Sequence, residues 1–281
     1  TLQPANLLRI MQETANHQMR DERPSYMELF DMGKAFLLSR MAVEVYAPLH
    51  QYEAVDSYTW PAAGRGATHY RCSCIQRGGE VVARGFGHWA LVDTQTRRLL
   101  RVGEVPLHYS DGPLVELPGV RFQMPEALSE VGRHVVLYHE IDVNRHLNNT
   151  RYMDLLVDFL PERESHRVTG FSLHFLSEAP LGEELTVFSS DAQPEEGGGL
   201  RRFFRTVRRD GRVNLEAAVR LTPRDPAAEC AAKRSAPREG MPSRGALSFS
   251  RAYLRRTWIR AWVPSSPPPA AASSSYLSRT S

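Results

Sequence analysis

The feature that most constrains this chain is an internal repeat. Sliding the sequence on itself by 132 residues sets Ala47-Pro48-Leu49 on Ala179-Pro180-Leu181, Val55 on Val187, Arg77 on Arg209, Gly79 on Gly211 and Val81 on Val213. One offset held over strands and turns points to a duplicated unit of helix followed by antiparallel strands. In the first copy Leu7, Leu8, Met11, Thr14, Ala15 and Met19 recur at helical spacing behind Pro4, whose missing N–H is harmless in a first turn, so residues 4–19 are a predicted helix. In the second copy Tyr152, Leu155, Leu156 and Phe159 share one face of a predicted helix over 149–160, stopped by Pro161. These helices stand 145 residues apart, so the first unit holds about 13 extra residues between helix and sheet. The polar Arg20–Glu28 stretch reads as that extra connection.

The remaining text is strand-like. Residues 35–46, 54–60, 68–76, 81–92, 168–175, 185–189, 201–208 and 213–221 alternate or run β-branched and aromatic, and 133–140 adds a strand before the second helix. No equivalent strand precedes the first helix, so the first strand of unit one is expected to fall before Thr1. The expected class is α+β, with units over 1–115 and 116–225. At 281 residues the chain is long enough for two small domains or one large one.

Residues 226–281 are different in kind. They carry a net charge of +7 amid Pro, Ala and Ser runs, which leaves −4 on residues 1–225. The basic excess is thus off the expected folded body, and this removes the whole-chain argument for a nucleic-acid partner. The segment is expected to be a disordered or artefactual basic tail, although Leu254, Trp258 and Trp262 are also spaced for a short amphipathic surface helix. No apolar run approaches the roughly 18 residues needed to span a bilayer. Cys72, Cys74 and Cys230 form neither a disulfide framework nor a zinc knuckle, which fits a reducing compartment.

Chemistry concentrates just before the second helix. Asp142, Asn144 and His146 alternate, so in an extended turn their side chains point the same way beside unpaired helix N–H groups. A carbonyl oxygen set against such donors is stabilised as negative charge develops on it, which is how acyl-transfer sites lower a barrier. The same residue types also serve ordinary Asx turns and N-caps, and spacing alone does not separate the two readings. His139, Glu140, Asp142 and His146 lack the spacing of a helical zinc site, no Gly-x-Ser-x-Gly elbow is present, and no glycine-rich loop precedes a helix. No metal and no cofactor are therefore expected.

The string Asp142-Val143-Asn144-Arg145-His146-Leu147-Asn148-Asn149-Thr150-Arg151-Tyr152 resembles the Asp-x-Asn-x-His-x-Asn-Asn-x-x-Tyr motif of acyl-acyl carrier protein thioesterases, and Gln12-Glu13-Thr14-Ala15 resembles the start of their first central helix. The similarity runs from Thr1 to about Pro223. It implies a double hot-dog fold, in which each of two units wraps a central helix in a curled antiparallel sheet. It also implies hydrolysis of fatty acyl-carrier thioesters in the bacterial cytoplasm, or in a plastid stroma if a transit peptide was removed. The family's following strand ends in an acid and a cysteine. Here Leu173-His174-Phe175-Leu176-Ser177-Glu178-Ala179-Pro180 keeps the acid as Glu178 and replaces the cysteine by Ala179, which excludes a cysteine nucleophile at that position.

The resemblance implies Asp142, Asn144, His146 and Glu178 as catalytic residues, with Glu178 or His146 as base, Asp142 orienting its neighbour and Asn144 holding water or carbonyl. At the 132 offset Glu178 falls on Tyr46, so the acid belongs to the second unit alone. The first unit is expected to supply the acyl pocket through Leu8, Met11 and Met19, with Asn149 and Tyr152 also on the substrate. Arg201, Arg205 and Arg209 share parity along one strand and are expected to meet an acidic carrier protein, a parity that Phe203 shares as well. Acyl-CoA is the nearer rival substrate, since arginines serve its phosphates equally. A non-catalytic acyl-thioester sensor is the rival from another class, disfavoured by the presence of all four polar positions. Homodimerisation is left open.

Overall fold

The computed structural model describes residues 2–50 and 52–225. The basic tail and Cys230 lie outside the described residues. The first half comprises α1 (Pro4–Asp21), α2 (Tyr26–Asp31), β1 (Lys34–Val45), β2 (Asp56–Arg65), β3 (Thr68–Arg77), β4 (Glu80–Asp93) and β5 (Leu99–Leu100). The second comprises β6 (Ser129–Val135), α3 (Tyr152–Asp158), β7 (His166–Phe175), β8 (Glu184–Ser189), β9 (Gln193–Pro194), β10 (Leu200–Arg208) and β11 (Val213–Pro223).

Three elements depart from expectation, each for a local reason. The Arg20–Glu28 connection holds the start of α2, because Ser25 and Glu28 form a reciprocal capping box: the Glu28 N–H donates to Ser25 Oγ at 3.3 Å and the Ser25 N–H to Glu28 Oε2 at 2.6 Å. The strand expected over 133–140 ends at Val135, and Tyr138–Glu140 is a 3-10 turn closed by the Leu137 N–H on Glu140 Oε2 at 2.7 Å. The second helix begins at Tyr152 rather than Asn149, because Asn148 Oδ1 draws the Thr150 N–H at 2.9 Å and the Thr150 hydroxyl at 2.8 Å into a turn.

The strands form one antiparallel sheet in the order β2-β3-β4-β1-β7-β11-β10-β8-β6, with β5 on β4 and β9 on β10. The order β1-β4-β3-β2 read outward from the β1–β7 seam is repeated as β7-β11-β10-β8, and edge strand β6 has no counterpart among the described residues. Tyr46 and Ala47 both donate backbone N–H groups to Val82 O, and Leu176 and Ser177 do the same to Asn214 O. Leu2 donates to Leu49 O, and Leu147 to Ala179 O. These bonds correct the sequence alignment: β1 maps on β7 at 130 residues, β4 on β11 at 132, and the helices at 145. The structural counterpart of Glu178 is therefore Pro48, not Tyr46. The shared Ala-Pro-Leu lies in loops, and a loop absorbs a two-residue shift without disturbing the ladders it joins.

One face of the sheet carries both helices. Ala5, Leu7, Leu8 and Met11 of α1 and Tyr152, Met153, Leu155 and Leu156 of α3 close one core with Val43, Ile75, Leu173, Val187, Phe204 and Leu215 from the strands. The other face is crossed by the segment joining the halves: Leu117 and Val120 pack on Ala42, Trp60, Cys72 and Phe86, and Phe122 stacks on His174 at 4.1 Å. Under residues 110–115 this face keeps a cleft of about 770 Å³ lined by Tyr58, Trp60, Cys74, Arg84 and Asp111. No helix among the described residues is long and apolar enough to cross a membrane.

Candidate active site

The loop before α3 is a closed turn, not the extended one expected. Ile141 bridges to Leu147, the Asp142 N–H donates to His146 O at 2.9 Å, and Arg145 takes a left-handed φ of 64°. The Asp142 carboxylate accepts the Asn144 N–H at 2.8 Å and the His146 N–H at 3.3 Å, so it shapes the loop from inside. Asn144 is consequently at the exposed tip, beside Val143, which is 89% exposed.

A second set of bonds zips this loop to the segment leaving β7. His146 bridges to Pro180, the Leu147 N–H donates to Ala179 O at 2.8 Å, and the Leu181 N–H to Arg145 O at 3.2 Å. The zipper sets His146 Nε2 at 3.5 Å from Glu178 Oε2, with the two side chains 32% and 63% exposed. An imidazole and a carboxylate thus meet at a surface that water and a substrate can reach. At 3.5 Å the pair is longer than the roughly 2.6–3.2 Å of a proton-transferring hydrogen bond, a separation common among general acid–base groups in the absence of substrate.

The other expected residues are placed less uniformly. Tyr152 is 3% exposed, and its Oη accepts the Asn214 Nδ2–H at 3.0 Å while its ring meets Phe175 edge-on at 5.5 Å. Burial pushes the phenol far above its ordinary pKa, the Asn214 bond opposes this, and the charges of Asp142 and Glu178 add to the rise. The phenol therefore stays neutral and within the field of both carboxylates. Asn149 is half-buried in the turn. Leu8 and Met11 belong to the central core, but Met19 packs with Leu29, Leu91, Leu100 and Val105, so the three do not line one space. Arg201 is ion-paired with Glu195, and Arg205 with Glu216 at 2.5 Å. Arg209 sits exposed in the β10–β11 turn, its backbone N–H on Glu183 Oε1 at 3.0 Å. Among the described residues no group of three or more His, Cys, Asp or Glu is placed to hold a metal ion.

Sequence reasoning missed Asn214, which is 0% exposed. Its signal was a polar residue between Val213 and Leu215 at the head of a strand whose later apolar positions alternate.

Residues 125–222, which hold the whole of this site, match the family profile described as the acyl-ACP thioesterase C-terminal domain. That stretch is similar to the C-terminal domain of acyl-ACP thioesterases. Similar proteins include the chloroplastic dodecanoyl-[acyl-carrier-protein] hydrolase of Cinnamomum camphora, 22% identical over 58% of this chain and 45% of that protein. The chloroplastic palmitoyl-acyl carrier protein thioesterase of Cuphea hookeriana is 24% identical over 65% of this chain and 46% of its own length. The chain thus spans about half the length of these curated relatives. An acyl-ACP thioesterase structure from Bacteroides thetaiotaomicron superposes with a TM-score of 0.69 at 20% identity, covering 79% of this chain and 90% of that one. The 12:0-ACP thioesterase of Umbellularia californica gives 0.55 at 19% identity over 70% and 76%. The chain accordingly has a hot-dog-like α+β fold with a large antiparallel sheet and few helices among the described residues.

Proposed function

We propose that the chain hydrolyses the thioester of fatty acyl-acyl carrier protein, releasing free fatty acid and ending chain synthesis. The observation that carries this is the 3.5 Å approach of His146 Nε2 to Glu178 Oε2 inside the matched residues 125–222. Water attacks the thioester carbon while Glu178 or His146 takes its proton. The tetrahedral intermediate then expels the carrier thiolate, the C–S bond breaks, and the proton passes to sulfur. Asn144 at the loop tip offers its amide to the carbonyl oxygen or the water, and Asp142 holds that tip by the two backbone N–H groups it accepts. Ala179 beside the acid leaves water, not a thiol, as the nucleophile.

The finer architecture belongs to the same proposal. Two hot-dog units, 1–115 and 116–225, account for the repeated strand order and the paired backbone bonds. The first unit has Pro48 where the second has Glu178, so it adds surface and acyl contacts but no chemistry. In this reading Leu8, Met11 and Asn149 border the acyl group, Tyr152 stands buried behind the pair with its Oη on Asn214 rather than on the substrate, and Arg209 faces the acidic carrier. Purified protein incubated with acyl-carrier and acyl-CoA panels tests the reading by thiol release. Release from the carrier substrates is expected, and release from neither panel overturns it.

A further inference from the structure

Asn214 lies at a β-bulge. Thr206 pairs with Leu215 and Val207 with Val213, so Asn214 is the extra residue of β11, and Asn214 and Leu215 are buried in succession. A bulge redirects a side chain that the ladder would otherwise send elsewhere. Here the amide Nδ2 donates to Tyr152 Oη at 3.0 Å and to Ser177 O, while Oδ1 accepts the Thr206 hydroxyl at 2.9 Å. The backbone carbonyl of Asn214 also takes the N–H groups of Leu176 at 2.9 Å and Ser177 at 3.2 Å, and the Ser177 hydroxyl donates to Val213 O at 2.9 Å. Apart from the Thr206 bond, which ties Asn214 to β10, these bonds end on the helix carrying Tyr152 or on the two residues that precede Glu178.

The first half of the molecule is an internal control. Its β4 has the same bulge, with Val82 as the extra residue between the Gln76–Val81 and Ile75–Ala83 pairs, and the Val82 carbonyl takes the same two backbone N–H groups. At the helix offset of 145 the counterpart of Tyr152 is Leu7. Val82 and Leu7 are both buried in the core, so an apolar pair satisfies the packing at this place in the fold. A buried amide costs free energy unless its hydrogen bonds are made, and the second half makes them against the segment that leads into Glu178.

We propose that Asn214 is a positioning residue for the reaction: through Tyr152 and Ser177 it sets the exit of β7, and with it the place of Glu178 against His146. The inference rests on the hydrolytic reading of that pair. Glu178 itself is 63% exposed, so little else restrains its side chain, and the backbone before it decides where the carboxylate starts. Misplacement of a reacting group by about 1 Å can cost on the order of a hundredfold in rate.

The test transplants the first half's solution. Asn214→Val combined with Tyr152→Leu installs the apolar pair already present at Val82 and Leu7, and Tyr152→Phe removes only the oxygen if the double variant does not fold. Expected in both is a fall in kcat of about tenfold or more with KM within about threefold, together with an altered pH profile of kcat. Retention of kcat and a superimposable pH profile would overturn the proposal. A uniform loss in step with thermal stability at every pH would reduce Asn214 to a structural residue and overturn it equally. Chemical shifts need no substrate and separate this failure from failure of the hydrolase reading: in Asn214→Val the Ser177 carbonyl loses its side-chain donor, so the Glu178 and His146 resonances should move while strands away from the bulge keep theirs. Unchanged Glu178 and His146 resonances contradict the positioning role whether or not the protein proves to be a hydrolase.

Discussion

Lowering the pH from 7.5 to 5.0 should destabilise the protein through one histidine. His88 is 4% exposed on the sheet face crossed by residues 115–122, and its Nε2 has no hydrogen-bond partner. Tyr70 lies across from it with ring centroids 5.0 Å apart, Phe86 at 5.1 Å, and Arg40 is its register partner on β1. Burial first, then the charges of Arg40, Arg121 and His174, push its pKa down to about 4. In the unfolded chain the ring titrates near its ordinary value of about 6.5. The folded state therefore binds fewer protons than the unfolded state between these values. Stability is full above about 6.5 and is lost as pH falls toward about 4. At pH 5 the single-site linkage amounts to about 2 kcal/mol, a sizeable share of the roughly 5–15 kcal/mol of a typical domain. Urea unfolding at both pH values, for the parent and for His88→Leu, isolates this contribution. His69 and His174 are also shifted downward by burial, but they titrate in both proteins and largely cancel in the comparison. The parent should lose about 2 kcal/mol more than the variant. Equal losses would refute the assignment of a neutral, uncompensated ring to His88.

Gly64→Ala should unfold more readily, because a Cβ there would collide with the Thr68 carbonyl oxygen and lie 2.9 Å from His69 Cα, both fixed backbone. A loss of about 2 kcal/mol or more is expected by urea titration, and an unchanged midpoint would contradict the packing described. Ser25→Ala removes half of the capping box of α2 and should cost about 1 kcal/mol, read as faster amide exchange confined to 26–31. Arg209→Glu should lower kcat/KM for an acyl-carrier substrate at low salt and leave a small acyl thioester unaffected, since steering between exposed charges is screened by ions. Arg205→Glu, by contrast, should lower thermal stability by setting a second carboxylate against Glu216, with equal loss on both substrates.

The sheet was legible because eight of its strands are written in alternating or β-branched residues, and their ends fall within a few positions of those expected. The helix over 4–19 was equally plain, since Leu7, Leu8 and Met11 share the face that the core buries. What failed were features written in few residues. Ser25 and Glu28 spell a helix start three residues apart inside a polar stretch. The Asp142–His146 loop folds back because one carboxylate can take two backbone N–H groups, a choice that alternation does not encode. The identical Ala-Pro-Leu triplets suggested Tyr46 as the partner of Glu178, whereas the backbone ladders assign Pro48. Of the four expected catalytic residues, His146 and Glu178 are brought together across 32 positions, a pairing that the motif resemblance anticipated and periodicity did not. The Asn214 network was not anticipated, because a polar residue at a bulge acquires its partners only when three separate elements converge.

The measurement that tests the hydrolase reading most directly is steady-state release of fatty acid from acyl-acyl carrier protein by the parent, His146→Ala and Glu178→Gln. Glu178→Gln keeps the size of the side chain and removes the charge, so a folded protein with kcat/KM lower by about 10²–10⁴ is predicted, and His146→Ala should fall as far. Hydrolysis at the parent rate by both variants would contradict the account.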